Sequence, residues 1–178
     1  MMTDWPTKIV ELVRVKERIA KLDVDKLFPY TLPAVAAPPA RVDAFEEHTG
    51  LTLDPGHRSF LEAADGWPAF FETQDLLSLE QLAGGEHRDA FTAWIDSAPP
   101  QALAEGYSSA TLLPIAVDLE MPLFAAMPVV DGRVASQVLS LDPSGIIDDF
   151  DSFEAYFDST IAYTLRNLAD FESGAYRL

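Results

Sequence analysis

The residues best placed to do chemistry lie together in HTGLTLDPGHRSFLEAADGW, residues 48–67. The stretch holds two of the chain's three histidines, His48 and His57, beside Asp54, Glu62 and Asp65, with Glu47 just upstream. Imidazoles among carboxylates are the raw material of general acid–base catalysis and of metal binding. The spacing favours neither: nine positions separate the histidines, which fits neither the i, i+4 pair of a zincin helix nor the short spacings of structural zinc sites. His48 falls at a predicted helix end and His57 in the exposed first turn of the next helix. His87 has no second histidine within four positions.

Elsewhere the chain offers fragments of sites. Asp148, Asp149 and Asp151 match a calcium loop only in charge, because the glycine and alternate-position ligands are missing. They read as favourable charges at the start of a helix, or as one edge of a surface for a basic partner. Gly106-Tyr-Ser-Ser-Ala110 approaches a nucleophile elbow but ends in alanine and follows no strand. There is no phosphate-cradling glycine loop and no dinucleotide fingerprint, and with no cysteine there is no thiolate. Acid–base work by carboxylates distant in sequence stays open.

The elements that must position these groups are legible in outline. Asp4 caps a first helix with Pro6 in its first turn, and Ile9, Leu12, Val13, Ile19 and Leu22 form its apolar face. The four prolines of residues 28–40 predict an extended connection. A second helix runs from about Pro39 to His48, with Val42 and Phe45 inward and Gly50 as its stop. Asp54-Pro55 opens a third helix that buries Phe60, Leu61 and Ala64 and ends at Asp65-Gly66. Phe70 and Phe71 read as core; Trp67 reads either as core or as an apolar anchor for a partner. LLSLEQL reads as a short strand running into a turn. A helix is expected from about Glu86 to Asp96, then a Pro99-Pro100 break and a loop.

The second half changes period. Residues 112–117, 122–130 and 133–141 are strand candidates, with Asp131-Gly132 as a hairpin turn and Asp142-Pro-Ser-Gly145 as a second turn leading into Ile146-Ile147. The last helix opens at Asp151-Ser-Phe-Glu154, a capping-box spacing, and carries Phe153, Phe157, Ile161, Leu165 and Leu168 on one face. The expectation is one α+β domain over residues 1–178, with an antiparallel-rich sheet of about four to six strands flanked by helices.

Composition bounds the function. With 48% apolar residues in 178, the chain can build a full core. No apolar run approaches the ~20 residues of a membrane span, and acids interrupt the N-terminal region, so a cytoplasmic protein is expected. The 29 acidic and 12 basic residues give a net charge of −17. Residues 1–26 hold six bases against five acids, and no Lys or Arg occurs from Asp89 to Gly132. Such a surface repels nucleic acid and anionic membranes and attracts a basic protein.

The motifs in their order resemble the SUKH superfamily, which includes a fungal cell-wall-synthesis regulator and many bacterial immunity proteins. Pro39 followed by ARVDAFEEHTGLTLDPGHRSFLEAADGW is similar to that family's helix, Gly-Leu-x-Leu-Pro-like corner, second helix and Asn-Gly or Asp-Gly turn. LLSLEQL, LLPIAVD and SFEAYFDSTIAYTL resemble its later elements. The likeness covers about residues 38–168, leaving residues 1–27 and an insertion at about 85–110 unmatched. Asp118-Leu-Glu-Met-Pro122 departs from the family's glycine-rich turn, and Asp65 stands where that turn has Asn. The resemblance implies a helix-flanked sheet without catalysis or cofactor, and most often an immunity protein that neutralises a toxin, frequently a nuclease. On that expectation the partner contacts are Trp67, Asp118, Glu120, Asp148, Asp149 and Asp151. A regulatory adaptor of the same fold without a toxin partner is the alternative.

Overall fold

The structure is a computed structural model that describes residues 3–98, 103 and 106–176; the expected Pro99-Pro100 break lies outside these. The chain runs α1 (Trp5–Leu22), α2 (Pro39–Thr49), α3 (Pro55–Leu61), β1 (Trp67–Phe71), β2 (Gln74–Leu76), α4 (Leu79–Ala83), α5 (Glu86–Ser97), β3 (Leu112–Val117), β4 (Phe124–Val130), β5 (Arg133–Val134), β6 (Val138–Asp142), β7 (Gly145–Phe150) and α6 (Phe153–Ser173). The α+β class is as expected, with seven strands in one antiparallel sheet of order β1-β2-β3-β4-β6-β7 and β5 beside β4.

The sheet is covered on both faces, and strand alternation shows how. Adjacent residues of a strand point to opposite faces. On β2, Gln74 accepts a hydrogen bond from Tyr156 of α6 at 3.2 Å, while Asp75 accepts one from His87 of α5 at 2.9 Å. Asp75, Val117, Phe124 and Leu141 are aligned in register, and Phe91 and Trp94 of α5 pack on Phe124 at 5.5 and 4.8 Å between ring centroids. Thus α5 lies on one face and α6 on the other. Central β3 is therefore buried along its whole length and reads as a continuous apolar run. Its proline, Pro114, sits at a register shift, where a missing N–H costs the ladder nothing.

α1 packs on α6 as an integral part of the core. Trp5 is buried edge-on against Phe60, Phe153 and Phe157 at 5.4, 5.5 and 5.4 Å, and its Nε1 donates to Ser59 at 2.8 Å. Lys16, also buried, donates from Nζ to the carbonyls of Ala69 and Phe70. Thr31 in the proline-rich connection donates to the carbonyl of Pro68. On β1, at one edge of the sheet, the carbonyls of Pro68, Ala69 and Phe70 thus all accept hydrogen bonds from side chains.

Three local expectations need correcting. LLSLEQL is not a strand after residue 76: Ser78 accepts from Gln81 N at 3.4 Å, Gln81 Oε1 accepts from Ser78 N at 2.9 Å, and this capping box starts α4. The N-cap of α6 is Ser152, which accepts from Ala155 N at 3.1 Å, and Glu154 turns outward to Lys8 and Thr3. The segment 133–141 is two strands, because Ala135 N bonds Pro128 O and the chain kinks between β5 and β6. By contrast Gly50 ends α2 with φ of 70°, and Asp131-Gly132 makes the hairpin, as expected.

Candidate functional site

In the stretch rich in histidines and acids, the charged groups hold a corner together. Arg58 reaches Asp43 at 2.6 Å, Glu46 at 2.6 Å and Glu62 at 3.0 Å, joining α2 to α3. Asp54 caps α3 by accepting from His57 N at 3.0 Å. Asp65 takes Arg41 at 3.0 Å and the Leu79 backbone N–H at 2.8 Å. Beside it Gly66 has φ of 85°, and a Cβ there would lie 2.6 Å from Ser78 N, so only glycine fits.

His57 overturns the expectation of an exposed first turn. It is fully buried, its ring lies 4.8 Å from that of Phe153, and neither ring nitrogen has a partner. Burial pushes its pKa down to about 3. The signal was present: His57 precedes Phe60, Leu61 and Ala64 by three, four and seven positions, which places it on the helix's apolar stripe. His48 is exposed at the end of α2, away from any such packing. Among the described residues, no three His, Cys, Asp or Glu side chains are grouped to hold a metal.

Sequence reasoning missed the pairing of His87 with Asp75. His87 Nε2 is 2.9 Å from Asp75 Oδ2, Nδ1 is 3.4 Å from Gln81 Nε2, and Asp75 Oδ1 accepts from Ala69 N at 2.7 Å. The arrangement has the Asp–His half of a triad, but a carboxamide stands where a nucleophile would be. Its evident effect is to fix α5 to β2 and β2 to β1.

The six residues expected to meet a partner separate into two groups. Trp67 has no exposed surface: its ring is in the core and Nε1 donates to Thr31 Oγ1 at 3.2 Å, which removes it as an anchor. Asp118 is buried too, accepting from Thr73 Oγ1 at 2.6 Å and from the N–H groups of Glu120 and Met121 at 2.8 and 3.0 Å. Its carboxylate ties down the β3–β4 loop and is not presented to solvent. Glu120, Asp148, Asp149 and Asp151 are exposed. Asp148 and Asp149 lie on β7, the second edge of the sheet, where Asp148 Oδ1 accepts the Asp149 N–H at 2.9 Å.

Beside β7 a cleft of about 380 Å³ opens between α6 and the sheet. Ser140 and Asp148, neighbours in register on the α6 side, form part of its wall. The cleft is lined by Phe71, Phe150, Tyr156 and Tyr163, with Glu72, Asp148 and Arg166 as its charged members. Glu72, at the β1–β2 turn with φ of 52°, has its pKa raised chiefly by burial and further by Asp118, against a hydrogen bond from Asn167. Arg166 places its guanidinium 5.0 Å from the ring centre of Tyr163. The cleft thus combines aromatic surface with two carboxylates and a guanidinium of the chain itself.

Fold and site together define an α+β protein with an antiparallel sheet between helical layers and an acidic, aromatic-lined cleft at one edge. Comparison with known proteins found no matching family model and no matching curated protein.

Proposed function

We propose that this is a non-catalytic cytoplasmic binding protein whose acidic β7 side takes a basic protein partner, in the manner of an immunity protein neutralising a toxin domain. The supporting observation is that Glu120, Asp148, Asp149 and Asp151 are all exposed and, among the described residues, enter no ion pair. Carboxylates left without a cation are free to steer and hold one on a partner. The likeness to SUKH proteins supplies the toxin class; the surface charge supplies the sign of the partner.

The test is a pull-down of the tagged chain from its native lysate at low and high salt, followed by the same capture with Asp149→Lys and Asp151→Lys. A basic, toxin-like partner released by salt and lost on charge reversal is the expected result. Salt-insensitive capture, or a set of housekeeping or envelope proteins indifferent to the reversals, would replace this reading with that of an adaptor.

A further inference from the structure

We propose that a single water molecule is built into the junction of α1, α6 and the β1–β2 turn, where it joins the ammonium of Lys16 to the carboxylate of Glu72 and the hydroxyl of Thr164.

This junction forms a cavity of about 20 Å³ that Lys16, Glu72, Thr164 and Asn167 help to line. Lys16 is 7% exposed and, among the described residues, enters no ion pair. An ammonium carries three donors, and the carbonyls of Ala69 and Phe70 take two of them, the latter at 3.3 Å from Nζ. Glu72 follows Phe70 by two residues and lines the same cavity. Its carboxylate takes a hydrogen bond from Asn167, whose Oδ1 accepts the Tyr176 hydroxyl at 3.2 Å. Thr164 donates to the Thr160 carbonyl at 2.7 Å, which leaves a lone pair on its Oγ1. One donor and two acceptors from three elements therefore border one cavity. Size and charge together select the occupant. About 20 Å³ admits one water and excludes an organic ligand. The ammonium repels a metal ion and the carboxylate repels an anion, so the occupant is a neutral dipole. Water has the matching complement, because its oxygen accepts from Lys16 while its hydrogens go to Glu72 and Thr164, about the number of bonds a buried water makes. Burial lowers the pKa of Lys16 and raises that of Glu72, the directions for two charges that face each other across a solvent molecule; a contact pair would move both the other way.

The experiment is a high-resolution crystal structure of the full chain, paired in solution with water–protein NOE spectra. One water peak is expected at about 2.7–3.2 Å from Lys16 Nζ and at hydrogen-bonding distance from Glu72 and Thr164. The methyl groups of Ile19, which also line the cavity and carry no exchangeable proton, should show NOEs of the sign that marks a long-lived water. Lys16→Met should abolish both the peak and the Ile19 signal. Thr164→Val removes one of three bonds and a hydroxyl that could relay exchange, so there the peak and the signal should persist, weakened. That variant replaces a hydroxyl by a methyl of the same size, and it keeps the test open should Lys16→Met fail to fold. Glu72→Gln should lower the titration midpoint of the Lys16 amine by roughly half a pH unit. A wild-type structure with no peak, a direct contact between Lys16 and Glu72, a peak that survives Lys16→Met, or a Lys16 midpoint indifferent to Glu72→Gln would each overturn the assignment.

Discussion

Replacing His57 with leucine should remove a specific acid sensitivity. In the folded protein the imidazole is neutral, sealed, and held at a pKa of about 3, against an ordinary 6.5 for the unfolded chain. Above pH ~6.5 neither state carries the proton and the histidine contributes no pH dependence. As pH falls below that value the unfolded chain takes up a proton that the folded one refuses. Stability then drops by about 1.4 kcal/mol per pH unit until the folded pKa is reached. At pH ~4.5 the loss assigned to this one ring is about 3 kcal/mol, and the full span down to pH ~3 amounts to about 5 kcal/mol, a large share of a typical domain's stability.

Carboxylates titrate over the same range, so the quantity to measure is a difference. Urea unfolding of wild type and His57→Leu is followed at pH ~7.5 and ~4.5, keeping the m-value as a check that the transition is unchanged. At the higher pH leucine should be neutral or stabilising by about 1 kcal/mol, because it removes two unsatisfied buried nitrogens. At the lower pH the variant's advantage should widen by about 2–3 kcal/mol. Parallel loss of stability in the two proteins would refute the reasoning, and would mean that the ring has a proton partner or access to water.

Lys16 predicts the opposite end of the pH scale: burial lowers its pKa to about 8 from 10.5, so stability should climb by about 2 kcal/mol between pH ~7.5 and ~9.5, and Lys16→Met should flatten that climb in denaturant titrations. The raised pKa of buried Tyr156 works against this only at still higher pH, where the unfolded phenol ionises first. Gly66→Ala should cost about 3 kcal/mol or more by thermal unfolding, since the left-handed backbone and the clash with Ser78 add. Trp5→Ala should cost about 3–5 kcal/mol; a loss under ~1 kcal/mol would show that α1 is a detachable arm. Replacing Asp148 and Asp149 together with valine should produce new concentration-dependent association by sedimentation, whereas Asp149→Lys should leave the sedimentation unchanged.

The fold class and most turns were legible because they rest on local chemistry. Asp54-Pro55, Gly50 and Asp131-Gly132 act within four residues of themselves, and each does in three dimensions what its type dictates. The failures are of two physical kinds. In LLSLEQL, Ser78 and Gln81 at N-cap and N3 carry a stronger instruction for helix than the segment's strand pattern does for sheet. The types of Asp118 and His57 permit a surface reading and that of Trp67 permits either core or surface, but burial is decided by elements distant in sequence: Thr31 for Trp67, Thr73 for Asp118, Phe153 for His57. The cleft was beyond sequence altogether, since its walls come from segments as far apart as Phe71, Ser140 and Tyr163.

That two of the four exposed acids expected to meet a partner, Asp148 and Asp149, fall on β7 follows from the sheet itself. An open antiparallel sheet has two edges, and each presents backbone groups that another strand could pair. On β1 carbonyls are taken by Lys16 and Thr31, at the expense of burying an ammonium. β7 has no such cover, and carries charge instead: Asp148 occupies the outward N–H of Asp149, and Gln137 Nε2 reaches Asp149 Oδ2 at 3.2 Å. Carboxylates suffice for edge protection, but lysines would serve that purpose equally well. Edge protection therefore explains why β7 is charged and leaves its sign unexplained. A basic partner requires that sign, which is why charge reversal at Asp149, and not its neutralisation, separates the two roles.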